Sequence, residues 1–289
     1  MGYSARYHAT SLIAVFIALA IGILIGAALG GDILNDTRKD LEHSLTGNLE
    51  DARNRADQLS GELGQANDFG EHVYPALVRG DLKGRRIGVL ALGGLPDDVS
   101  NSIEEALEPT GARLVGVGVV REPVDWNALG ADLAKSRFAV IAKDTNAQIA
   151  FGTGVGRQMV LGGALLDLVR SQLFSRASGN FGALDGMIVV RSQPDDMGPV
   201  QRSSAGRLEA ALAAGIADTR IPAVGVESSG VDSSSVSFFQ GNDLSSVDDV
   251  DFVAGQLAMV LALRGAEGSF GVKGSADRLL PDLLTPHRP

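Results

Sequence analysis

Three aspartates, Asp248, Asp249 and Asp251, follow Ser245-Ser246 and form the densest carboxylate cluster in the chain. Oxygen donors this close together suit a hard cation. At the start of an apolar helical stretch, Val253 to Leu263, they equally suit the positive end of a helix dipole and its free amides, and capping is their expected role. Two glycine-rich segments imitate phosphate loops. Gly93-Gly94 ends an apolar strand where a dinucleotide fold would bind pyrophosphate. The G-x-G-x-x-G spacing is missing, however, and Pro96-Asp97-Asp98 would set negative charge against the phosphate. Gly152-Thr153-Gly154-Val155-Gly156 has no lysine and no phosphate-loop spacing, so a flexible strand-to-helix turn is expected there. The four histidines, His8, His43, His72 and His287, are scattered, and none closes a core strand. No serine-histidine-aspartate set can be assembled, no cofactor site is evident, and the chain is expected not to be an enzyme.

The elements around these residues alternate strand and helix. Arg85 to Leu92 is apolar and β-branched, and Asp97 to Leu107 has helical spacing at Val99, Ile103, Ala106 and Leu107. Arg113 to Val120 is a second strand. The alternation continues with a helix at Trp126 to Ala134, a strand at Phe138 to Ala142, a long helix from Val155 to Phe174 and a strand at Met187 to Arg191. A helix at Gly206 to Ala217, a strand at Ala223 to Glu227 and the closing helix Val253 to Leu263 complete it. This order predicts an α/β domain over residues 77–289, with an open, mostly parallel sheet and helices on both faces. Ser192 to Ser204 and Glu227 to Ser237 read as its long loops.

Ahead of the domain, Ala9 to Gly31 is free of charge and longer than the roughly 20 residues a helix needs to cross a bilayer. Residues 1–31 therefore read as a transmembrane anchor. The apolar run exceeds the roughly 7 to 15 residues of a signal-peptide core, which favours an uncleaved segment. Ala14, Ala18, Gly22, Gly26 and Gly30 recur every fourth residue, placing small side chains on one face where a second helix could approach. Basic residues, Arg6 before the anchor and Arg38 with Lys39 after it, slightly oppose an inside N-terminus, but a long following domain translocates largely regardless of such charges. The body is expected outside the cytoplasm, on the plasma membrane more than the outer membrane.

Residues 32–70 read as a helical stalk. Leu49, Ala52, Ala56, Leu59, Leu63 and Ala66 alternate steps of three and four, with Glu50, Asp51, Arg53, Arg55, Asp57 and Glu62 outside the seam, a coiled-coil pattern. Leu34, Leu41 and Leu45 keep the period out of register, as a stutter would. A parallel homodimer through anchor and stalk is the expected assembly. A net charge of −10 with no basic stripe argues against nucleic-acid binding, and the absence of cysteine removes disulfides, zinc–thiolate sites and cysteine nucleophiles.

Val247-Asp248-Asp249-Val250-Asp251, Gly255-Gln256, Leu261-Ala262-Leu263 and Gly268-Ser269-Phe270-Gly271 resemble the C-terminal signature of the MctB-like copper transporter family of actinobacteria. The likeness extends to Tyr7 through Phe16 ahead of the anchor and to Ala66-Asn67-Asp68-Phe69 at the end of the stalk. The resemblance implies a membrane-associated envelope protein concerned with copper transport or homeostasis at an outer-membrane pore, and copper is implied by it alone. Copper prefers thioether, thiolate or imidazole ligands, whereas Met159, Met187, Met197 and Met259 are dispersed as core residues would be. One span per chain cannot line a channel without assembling several copies. The alternative expectation is a non-enzymatic scaffold that holds a cell-wall or division partner above the membrane.

Overall fold

The computed structural model describes residues 5–282, with side chains over 10–27 and 44–282. Expectations attached to Arg6, His8, Gly30, Leu34, Arg38, Lys39, Leu41, His43 and His287 lie outside the described side chains. One continuous helix, α1 (Ala5–Leu77), covers both the anchor and the stalk. Its segment Thr10–Ala27 is long and apolar enough to cross a membrane, by length and composition. The chain divides into two compact units, Met1–Ala66 and Asn67–Pro289. The second begins before Leu77 because the last turns of α1 are part of its core. Tyr74 is buried and its hydroxyl donates to the Ala106 carbonyl at 2.7 Å, and Val78 is fully buried.

The second unit is built on a seven-stranded sheet of order β3-β2-β1-β4-β5-β6-β7. Its strands are β1 (Arg86–Gly93), β2 (Arg113–Val120), β3 (Phe174–Gly179), β4 (Gly186–Ser192), β5 (Ala223–Val226), β6 (Ser245–Val247) and β7 (Ser269–Phe270). All neighbours are parallel except the edge pair β2–β3. The helices are α2 (Asp97–Leu107), α3 (Trp126–Asp132), α4 (Thr145–Leu161), α5 (Ala164–Leu173), α6 (Pro199–Ala217), α7 (Val236–Gln240) and α8 (Val253–Leu263). Successive strand residues point to opposite faces. Thus Ile87, Val89 and Ala91 of β1 join α2 and α8 in one core, while Leu90 and Leu92 join α3 to α6 in the other. Both faces are covered, as a parallel sheet requires.

Four expectations need correction. Ser192 to Ser204 is loop only as far as Gly198, since Pro199 opens α6. Phe138 to Ala142 is not a strand but a run of turns, with Ala139, Ile141 and Lys143 amides bonded to carbonyls three residues back. Phe138 and Ile141 enter the core while Val140 stays exposed, a spacing of three that a strand could not produce. The expected long helix from Val155 to Phe174 is two helices, α4 and α5, bent by 112° at Gly162-Gly163. Gln158 replaces the missing cap, its Oε1 accepting from Leu165 N and Leu166 N at 2.9 and 3.2 Å. Phe174 itself opens β3, which takes the sheet position beside β2.

Gly152 to Gly156 is not a turn either; it lies inside α4, where its glycines admit α6. A Cβ on Gly152 would stand 2.6 Å from the Ala211 Cβ, one on Gly156 would overlap the Leu212 carbonyl, and one on Gly215 of α6 would overlap the Thr153 carbonyl. Gly206, also in α6, faces open space, its nearest neighbour Glu209 Oε2 at 4.0 Å. Gly156→Ala should therefore lower unfolding stability by about 2 kcal/mol or more through overpacking. Gly206→Ala should raise it by about 0.5–1 kcal/mol through helix propensity. Urea unfolding of the two variants in the full chain checks this, and equal effects would exclude helix contact as the role of Gly156.

Candidate functional site

The sheet's strand order reverses between β1 and β4, and in open α/β sheets ligands enter the crevice outside the carboxyl ends of the strands at such a point. Here β1 ends at Gly93, whose φ of +85° suits glycine, and a Cβ would stand 2.9 Å from Glu122 Oε2. Beside it, β4 delivers Arg191, Ser192 and Gln193, and β5 runs into Glu227. These residues and the start of α2, at Pro96 and Val99, line a crevice of about 340 Å³.

A charged network underlies the crevice. Glu209 of α6 is fully buried; Arg191 Nε donates to its Oε2 and Gln193 Nε2 to its Oε1, each at 2.9 Å. The Arg191 guanidinium also lies 4.7 Å over the Phe238 ring. The Glu122 carboxyl is buried beside Glu209 without a hydrogen-bond partner and is pushed up to about 8, first by burial and then by the Glu209 charge, against the pull of Arg191. The protonated form of Glu122 is thereby favoured at neutral pH. Next to them Glu227 Oε1 accepts from Lys273 Nζ at 2.8 Å and from Ser234 Oγ at 2.7 Å, and its Oε2 accepts from Ser235 N at 2.6 Å.

The three aspartates separate. Asp248 accepts from Val272 N at 2.8 Å and Lys273 N at 3.1 Å, and Asp251 accepts from Ser229 N and Oγ at 2.7 and 2.6 Å. Asp249 is buried without a hydrogen-bond partner, and burial, then the Asp248 and Asp251 charges, push it up to about 7. The capping expectation fails: α8 begins at Val253 behind Phe252, with no side-chain cap. The three carboxylates do not converge, and among the described residues no three His, Cys, Asp or Glu side chains gather as a metal-binding set. The resembling segment Gly268 to Gly271 has a structural account instead. Gly271 has φ +134°, and a Cβ there would run into the Asp248 carboxylate, while Phe270 is buried and Ser269 Oγ accepts from Ser246 Oγ at 2.9 Å.

Sequence reading missed Glu122, Arg191, Gln193 and Glu209. They lie far apart in the chain, and no local spacing marks them; only the ends of Arg113 to Val120 and Met187 to Arg191 as strands point toward the edge where they meet. Gly93-Gly94 does lie at that edge, but α2 behind it carries Asp97 and Asp98 in its first turn. That arrangement disfavours a phosphate.

An α/β body of this topology, carrying an apolar N-terminal helix, is the frame in which the comparison with known families falls. The chain belongs to the MctB family, described as copper transport outer membrane protein, whose profile matches residues 3–281. No curated protein matches the chain. Among the described residues the soft donors do not gather as a copper site. Met159 and Met187 are fully buried in one core and Met259 in the other, Met197 is buried in the loop before α6, and His72 is exposed with Nδ1 2.7 Å from the Asp68 carbonyl.

Both raised carboxyls hold protons in the folded chain that the unfolded chain has released above their ordinary values of 4.5 and 3.8. Stability from these two groups therefore falls as pH rises from about 4 to about 8 and is level beyond. Glu122→Gln and Asp249→Asn should each gain stability relative to the parent across that window, with the gain flat above it. Thermal unfolding from pH 5 to 9 measures the difference, and a gain that shrinks with rising pH would reverse the assignment.

Proposed function

We propose that this chain serves copper homeostasis in the cell envelope as a membrane-anchored, dimeric and non-enzymatic scaffold, without itself ligating the metal. The family supplies the link to copper, and the burial of Met159, Met187 and Met259 in two separate apolar cores is the observation behind the reading that the chain does not ligate the metal. On this reading α1 anchors the chain in the plasma membrane, the body stands outside the cytoplasm, and a protein partner in the envelope is held at its surface. Calorimetric titration of the full chain with Cu(I) and Cu(II) under a competing chelator is expected to show no tight stoichiometric uptake. Asp248→Asn, Asp249→Asn and Asp251→Asn should leave that result unchanged. One equivalent of copper held against the chelator would return metal carriage to the chain itself.

The dimer rests on the exposure of α1. Leu45, Leu49, Leu59 and Leu63 are each more than half exposed, and positions 14, 18, 22 and 26 are open, with nothing within 4 Å of a Cβ built on Gly22 or Gly26. An isolated helix with such a seam gains by pairing, and a shared anchor raises the local concentration of the stalks. Cysteines at Leu59 and Leu63 should crosslink in membranes, and Gly22→Ile with Gly26→Ile should reduce the yield by separating the backbones. Failure of both positions to crosslink would remove the dimer.

A further inference from the structure

We propose that the crevice at the carboxyl ends of β1, β4 and β5 binds a neutral polyhydroxylated ligand, a sugar unit of one or two rings. This site is independent of the copper reading. At about 340 Å³ it lies at the small end of ligand sites, which run from about 300 to 1,000 Å³. Its charged lining residues carry both signs: Arg191 is paired with the buried Glu209 behind it and Glu227 with Lys273, while Arg202 stands beside Asp195 and Asp232 at the rim. An anion there would face Glu227, Asp195 and Asp232, and a cation would face Arg191 and Arg202. A ligand without charge meets neither penalty.

The remaining hydrogen-bonding capacity is of mixed sense, as sugar hydroxyls require. The Ser192 and Ser233 hydroxyls and Gln193 Oε1 line the crevice and have no partner among the described residues, and a hydroxyl both donates and accepts. Pro96, Val99 and Val231 also line it and supply apolar surface against which the C–H face of a sugar ring can lie. At the rim, Arg202 donates to the Met197 and Asp195 carbonyls at 2.9 and 2.6 Å, fixing the loop between β4 and α6, while Asp195 and Asp232 are solvated. The sharing of polar side chains between a buried network and an open crevice is the arrangement that holds a binding surface rigid.

The experiment is saturation-transfer NMR on the full chain in a sugar-free detergent, with methyl β-D-glucoside and maltose as probes and with inorganic phosphate and glycylglycine as charged competitors. At least one glycoside should bind saturably in the millimolar range or tighter, unchanged by raising salt to about 0.5 M. Val231→Trp, which fills the crevice from an exposed rim position, should abolish the signal, and Ser233→Ala should weaken it several-fold. Leu161→Trp, at an exposed position near the amino ends of the strands, should change nothing. No saturable signal from either glycoside, a signal that survives Val231→Trp, or displacement by phosphate or glycylglycine would each overturn the proposal. None of these results depends on copper or on dimerisation.

Discussion

Burial of β1 on both faces is the constraint from which the rest of the body follows. Six consecutive residues, Ile87 to Leu92, are buried, and side chains alternating along a strand must be covered from two directions. Fully burying a Val, Leu or Ile contributes about 1.5–3 kcal/mol, so leaving either face bare would forfeit several such contributions. Helices α2 and α8 close one face and α3 to α6 the other, which makes the neighbouring strands parallel and their connections long. The same geometry sends the carboxyl ends of β1, β4 and β5 to one edge. Loops from three crossovers meet there, and the polar residues of the molecule concentrate where the apolar cores leave off.

Electrostatics sharpens that edge. A buried ion pair such as Arg191–Glu209 generally loses as much by desolvation as it gains by attraction, and well-packed apolar side chains would hold the fold as well. The body nevertheless keeps this pair, a second pair at Lys273–Glu227, and the carboxyls Glu122 and Asp249, both raised by burial, all along one end of the sheet. The packing of α4 on α6 shows the opposite treatment, with glycines at Gly152, Gly156 and Gly215 drawing two backbones together and the one ion pair described between them, Arg157–Asp218, left half exposed. Stability is supplied by such contacts. The costly groups are confined to the edge where recognition can use them.

The sequence made the main architecture legible because long elements carry strong periodicity. The helices Asp97–Leu107 and Val253–Leu263 and the strand Arg113–Val120 agree with the residues read for them. What escaped was short or fixed at a distance. β3 is a polar edge strand, β6 and β7 have three and two residues, and pairing rather than propensity makes them strands. Phe138 to Ala142 was misread because an apolar run of that length has no period to distinguish turn from strand, and its sheet position belongs to β3. The density of carboxylates at Asp248, Asp249 and Asp251 was visible, but their partners Val272, Lys273 and Ser229 come from other loops. The crevice residues share that limitation, since Glu122 and Glu209 are brought together only by the crossovers.

Membership of a copper transport family and a donor set unsuited to copper are compatible once transport is treated as a property of an assembly. A polar path through lipid needs several helices or a closed barrel, since every backbone group must be satisfied within the protein. α1 supplies one apolar span, and its small residues favour close helix contact over a water-filled interior. The sheet of the body buries both faces under helices and so has no lumen of its own. On the reading proposed above, any pore and any copper ligands belong to other chains. This chain's part is then to hold them in place, and a body with two covered sheet faces and a polar crevice at one edge of its sheet is physically suited to that work.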